Sequence, residues 1–211
     1  MLIIVINIKK TYRYILIPII ILLLLFVFRH NIREYFMVSY RKYYNITISA
    51  SEINEMKNEL NIININYDWD GELIKNNKPN KIIIHHSAIS ELTPEEINDY
   101  HKSRGWTGIG YNYYIRKDGT IYSGRPENSE GAHTKGENSN SIGICLEGNF
   151  EEEEVNEMQM ESLLNLSYYI SLKYDIYKIM GHKDAYETLC PGRNFPLKYV
   201  KNKVINYIKE Y

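Results

Sequence analysis

The chain has 211 residues, 44% of them hydrophobic, and a formal net charge of -1 at neutral pH. Residues 1–50 hold seven of the 25 Lys and Arg and one of the 26 Asp and Glu, which leaves 18 bases against 25 acids in the remainder. An acidic globular part excludes nucleic acid as the partner, because phosphate binding needs clustered Lys and Arg.

The first predicted element is an uncharged run from Tyr14 to Phe28. A helix over it spans about 22 Å, short of a hydrocarbon core of about 30 Å. Arg13 and Arg29 can snorkel at its ends, and Tyr12, Tyr14 and Tyr35 suit the interface. Arg29-His30-Asn31 follows the run where a leader would carry a small-residue cleavage site. The pattern therefore predicts a retained single-pass membrane anchor within residues 1–30. Charges flank it on both sides and do not set its orientation. Residues 31–66 read as a juxtamembrane connector with helical character over Ser51–Leu60, and residues 67–211 as a compact domain.

Within that domain, Lys81–His85 reads as a buried strand. Thr93-Pro94-Glu95-Glu96 forms a capping box with Pro at the first helical position, predicting a helix to about Arg104 that Gly105 stops. Tyr111–Lys117 and Thr120–Ser123 flank Asp118-Gly119, which predicts a hairpin with a type I′ turn. Ser141–Glu147 is a further strand. Val155 to about Tyr174 carries a helical apolar stripe, as does a closing segment with Leu197, Val200, Val204, Ile205 and Ile208. Interleaved strands and helices predict an α/β domain, a mixed central sheet flanked by helices.

The chemistry-bearing residues gather at two places. His182 and Cys190 lie eight positions apart before Pro191-Gly192, and His85-His86 closes the first strand. Two imidazoles and a thiolate make an open zinc site with one position left for water. Strand side chains alternate, so only one of His85 and His86 can face the ion. The two cysteines are too few for a disulfide framework. A single Cys145–Cys190 bridge stays open as an alternative and would consume the thiolate. Cys145 otherwise reads as a small buried apolar residue.

The motifs follow in a characteristic order: Ile84-His85-His86-Ser87-Ala88, Arg104-Gly105-Trp106, Ile109-Gly110-Tyr111-Asn112-Tyr113, Lys117-Asp118-Gly119 through Gly124-Arg125, Gly131-Ala132-His133-Thr134, Asn138 through Ile144, and Gly181-His182 through Cys190-Pro191-Gly192. In this order they resemble the zinc N-acetylmuramoyl-L-alanine amidases related to peptidoglycan recognition proteins and phage lysozymes. The resemblance covers residues 67–211. It implies Zn2+ ligation by His85, His182 and Cys190, with Tyr111 and Thr188 as catalytic residues. It further implies muropeptide contacts from His133, Asn138, Trp106 and Arg125, and leaves His86 packed behind the sheet.

The expected activity is hydrolysis of the amide between N-acetylmuramic acid and the L-alanine of the stem peptide by zinc-activated water. The alternative is a non-catalytic, membrane-anchored peptidoglycan-binding module, since recognition relatives commonly lose the metal-site cysteine. Glu147, following its strand, is the candidate general base. A cell-wall substrate places the domain outside the cytoplasmic membrane and the amino terminus inside.

Overall fold

The computed structural model describes residues 16–26, 32, 35–36, 39–41 and 48–210. The chain divides into two compact units, Met1–Ile46 and Thr47–Tyr211. In the first, residues 16–26 are helical, and Leu22 and Phe26 are exposed. Among the described residues no helix is long and apolar enough to cross a membrane. The predicted span Tyr14–Phe28 lies partly outside them, at both of its ends.

The second unit begins inside the expected connector. Ser49 and Glu52 form a reciprocal capping box that starts α1 (Ala50–Glu59). Ile63 then bridges to Tyr122, donating to the Ile121 carbonyl at 2.9 Å and accepting from Ser123 at 2.9 Å. Ile63, within the expected connector, therefore shares the hydrogen bonds of the domain that follows.

The sheet is built from β1 (Lys81–His86), β2 (Tyr113–Ile115), β3 (Ile121–Ser123), β4 (Ser141–Leu146) and β5 (Ile179–Gly181). Its order is β3-β2-β4-β1-β5, with β2 and β3 antiparallel and the other pairs parallel. The expected mixed sheet is thus observed. Every residue of β1 and β4 is buried, which accounts for the unbroken Ile82-Ile83-Ile84 run in a strand covered on both faces. Each such isoleucine contributes about 1.5–3 kcal/mol on burial.

Register decides which side chains share a face. Tyr114, Cys145 and His85 lie in one row across β2, β4 and β1, with Ile83 and Gly143 one step along the same face. The core on this side holds Tyr67, Ile97, Ile109, Tyr114 and Cys145, and Ile97 belongs to α2 (Pro94–Ser103). Thr93 and Glu96 close the predicted capping box of that helix. α3 (Glu157–Tyr174) packs against β2 and against α4 (Leu197–Glu210), and α4 also packs against β5. Asn156 caps α3 through its side chain, so the helix starts two residues later than the apolar stripe alone suggested.

The hairpin differs from expectation. A type I′ turn needs positive φ at both central residues, but only Gly119 has it, at +83°, and Asp118 does not. Gly119 N–H closes a turn onto the Arg116 carbonyl at 2.9 Å, while the Asp118 carboxylate accepts the Thr120 amide at 2.9 Å. The aspartate side chain stabilises a three-residue connection instead.

Glu147 is also not where a general base would be. It is 1% exposed. Its carboxylate accepts from the Leu92 amide at 2.8 Å, the Lys117 amide at 2.9 Å and Arg116 Nε at 2.9 Å. Both of its carboxylate oxygens go into joining the α2 approach, the hairpin and the end of β4. Removing one partner of such a buried network strands the others, so Glu147→Ala should lower unfolding stability by about 3 kcal/mol. Urea denaturation checks this, with Glu147→Gln expected to lose less.

Candidate active site

The parallel pairing of β1 with β5 sets Ile84 level with Gly181. The next residues, His85 and His182, therefore come off the ends of adjacent strands, where open α/β sheets gather their ligands. Their rings lie 4.5 Å apart. The loop after a short 3-10 turn (His182–Asp184) returns Cys190 to the same place, held by Lys183 N–H on the Cys190 carbonyl at 2.8 Å. Both cysteines are free thiols, so the bridge alternative does not form.

The ligating atoms of His85, His182 and Cys190 all lie within 4.8 Å of one another. His85 Nδ1 is 3.6 Å from Cys190 Sγ. A tetrahedral zinc with a thiolate at about 2.3 Å and an imidazole at about 2.0–2.1 Å sets those two atoms about 3.5 Å apart. The donor set and spacing therefore fit such an ion. His86 turns the other way: its ring meets Phe150, whose amide donates to His86 Nδ1 at 3.1 Å. Its backbone N–H still donates to Cys190 Sγ at 3.4 Å.

These residues sit at the floor of a cleft of about 1080 Å³. Tyr111 packs its ring 5.1 Å from His85. Burial, together with the neighbouring Cys145 and Cys190 thiols, pushes its hydroxyl well above the ordinary tyrosine value, so it stays a proton donor. Thr188 lines the cleft and accepts the Cys190 amide at 3.3 Å, which leaves its own hydroxyl proton free. Trp106 is on the opposite wall, with the Arg104 guanidinium 5.1 Å over its ring.

Of the expected substrate contacts, His133 and Asn138 line the cleft while also bonding within the protein, and Arg125 lies away from it. Arg125 is buried and is not among the residues lining the cleft. Its guanidinium donates to the carbonyls of Ile109 at 3.0 Å, Glu130 at 3.0 Å and Gly108 at 3.3 Å, over the Trp69 ring. It holds loops together rather than facing ligand. Asn138 lines the cleft but spends its carbonyl oxygen on the amides of His133 and Thr134, at 2.9 and 2.8 Å. His133 is buried behind His85.

Sequence reasoning missed His101, Thr134, Tyr186 and Leu189, all of which line the cleft. His101 falls four positions after the buried Ile97 on α2, and that spacing was the available signal. Its Nδ1 accepts the Gly110 amide at 3.0 Å, and its ring lies between Trp106 at 4.6 Å and Tyr111 at 5.4 Å. Burial first, then Arg104 and Arg125, lowers it to about 4. Burial likewise lowers His133 to about 3, helped by His182 and Arg125. It takes His85 well below the ordinary histidine value, with the other imidazoles adding to the effect. His182 is lowered by burial and by His86.

The family model described as N-acetylmuramoyl-L-alanine amidase matches residues 75–193, and the chain belongs to that family. An endolysin N-acetylmuramoyl-L-alanine amidase from Clostridium intestinale URNW is 50% identical with a TM-score of 0.67, over 68% of this chain and 95% of that one. An endolysin of Klebsiella phage KP32 is 31% identical over 64% of this chain and 94% of its own length. A Drosophila peptidoglycan-recognition protein LB mutant, solved in complex with tracheal cytotoxin, is 30% identical with a TM-score of 0.54, over 61% of this chain and 83% of that one.

Burial pushes the Cys190 thiol up to about 12, against the opposing pull of the His86 amide and Lys183. The histidines are neutral near pH 7, so an incoming divalent cation displaces one proton, that of the thiol. Apparent zinc affinity should therefore rise about tenfold per pH unit from about pH 7 to 9. Chelator competition measures it. Cys190→Ala should bind far more weakly and without that slope.

Proposed function

We propose that this chain is a zinc-dependent peptidoglycan amidase that cleaves between N-acetylmuramic acid and the L-alanine of the stem peptide. The observation that carries this reading is the convergence of His85, His182 and Cys190 within 4.8 Å at the floor of a large cleft. A groove that only binds muropeptide has no use for a thiol held against an imidazole. Zinc held by these three residues supplies Lewis-acid polarisation of an amide carbonyl and activation of water.

The chain's own groups account for the remaining steps. The Tyr111 hydroxyl, kept protonated beside the Cys145 and Cys190 thiols while its ring packs on His85, donates to the oxygen on which charge develops. Thr188, bonded to the Cys190 amide, adds a second hydroxyl to the cleft. The aromatic wall of Tyr100, Trp106 and His101, with Arg104 across it, offers stacking surface and a cation to an acidic stem peptide. Among the described residues the carboxylates that line the cleft are Glu130 and Glu151. The complex of the recognition-protein relative with tracheal cytotoxin supports a muropeptide as the occupant, and the endolysin relatives support hydrolysis.

The membrane-anchored, extracytoplasmic placement rests on the uncharged run Tyr14–Phe28 and on where peptidoglycan lies. Protease shaving of intact cells tests it, and a domain left untouched would overturn it.

Purified sacculi treated with zinc-loaded protein should release peptides with new N-terminal L-alanine, read by mass spectrometry. Tyr111→Phe should lower kcat by about 10²–10³ with zinc content unchanged. Sacculi left intact by the zinc-loaded wild type would overturn the amidase reading.

A further inference from the structure

His133 lines the cleft, but its ring is held in a tight seat. It is 7% exposed. A Cβ at Gly131 would come within 2.6 Å of its Cδ2, and one at Gly143 within 2.6 Å of both Cδ2 and Cγ. Real side chains do not tolerate such approaches, so the two glycines form a slot that admits this imidazole. Gly131-Ala132-His133 and Ile142-Gly143-Ile144 thereby become two halves of one feature.

The hydrogen bonds around the slot run in one direction. Ser141 Oγ donates its single proton to the Glu137 carbonyl at 2.6 Å, so towards His133 Nε2, 3.4 Å away, it can only accept. That places the His133 proton on Nε2 and leaves Nδ1 bare. His133 Nδ1 lies 3.1 Å from His85 Nε2 and therefore accepts from it. With its proton on Nε2, His85 turns a bare Nδ1 towards Cys190 Sγ. Thr134 Oγ1 stands beside both atoms, 3.1 Å from His133 Nδ1 and 3.4 Å from His85 Nε2. The opposite tautomer would leave His133 Nε2 facing an oxygen with no proton to give.

We propose that His133 is a positioning residue: seated by Gly131 and Gly143 and polarised from the Glu137 carbonyl through Ser141, it sets the His85 tautomer and ring orientation that metal binding requires. Outer partners of this kind orient ligands and raise their basicity, and their loss typically weakens metal binding by about 10–100-fold. The inference rests on the zinc reading of the cluster, and it reassigns His133 from substrate contact to ligand support.

Two readouts test it without substrate. In metal-free wild-type protein, nitrogen-15 NMR of the imidazoles should show His85 protonated on Nε2, and a His85 proton on Nδ1 overturns the proposal. Zinc affinity by chelator competition should fall about 10–100-fold in His133→Phe, which fills the slot without an acceptor. His133→Asn, whose Oδ1 can stand where Nδ1 stood, should recover most of that loss. Gly143→Ala, which keeps the imidazole but pushes it from its seat, should mimic His133→Phe. Wild-type zinc affinity in folded His133→Phe, or an Asn variant as weak as the Phe variant, overturns it. If a variant does not fold, the wild-type tautomer still decides. A wild type with the expected tautomer and tight zinc that leaves sacculi intact would overturn the amidase reading alone.

Discussion

Parallel pairing of β1 between β4 and β5 is the constraint on which the site depends. It brings two histidines from distant parts of the chain to the same level, something no local motif could do. It also lays Gly143 beside Ile83 and Cys145 beside His85, so the face under the cluster is partly empty of side chains. Into that gap the structure fits His133 from one loop and Tyr111 from another. The cleft is thus a consequence of register as much as of loop conformation.

Electrostatics follow from the same burial. His85, His101 and His133 crowd together, and each is pushed towards its neutral form by desolvation, with nearby imidazoles or guanidinium groups adding to the effect. Neutral imidazoles are what a metal ligand, an outer acceptor and a fixed hydrogen-bond network all require. Other carboxylates of the domain are engaged away from them: Glu147 ties three segments together, and Glu137 pairs with Lys81. Acidic composition overall therefore coexists with a site floor made of imidazole, hydroxyl and thiol.

Much of this was legible beforehand, for identifiable reasons. Thr93-Pro94-Glu95-Glu96 and the Ile82–Ile84 run carry their information locally, and α2 and β1 formed where they indicated. Strand alternation separated His85 from His86 correctly. What the sequence left hidden depended on contacts between segments. Arg125 follows a glycine near the cleft in sequence, but three carbonyls capture its guanidinium. Asp118-Gly119 has the composition of a two-residue turn, yet Asp118 prefers to hydrogen-bond Thr120. His133 reads as a polar loop residue until Gly131 and Gly143 are seen to close on it. Propensity and spacing cannot report a slot whose walls lie twelve residues apart.

The position of β5 has a consequence for the mechanics of the domain. It is a three-residue edge strand, bonded to β1 on one side only, and such a strand has few hydrogen bonds with which to resist fraying. Yet the chain running from it carries His182 and Cys190. An ion shared between them and His85 would act as a rivet between a short edge strand and the buried β1. Ligand binding then becomes part of the folding free energy of that margin.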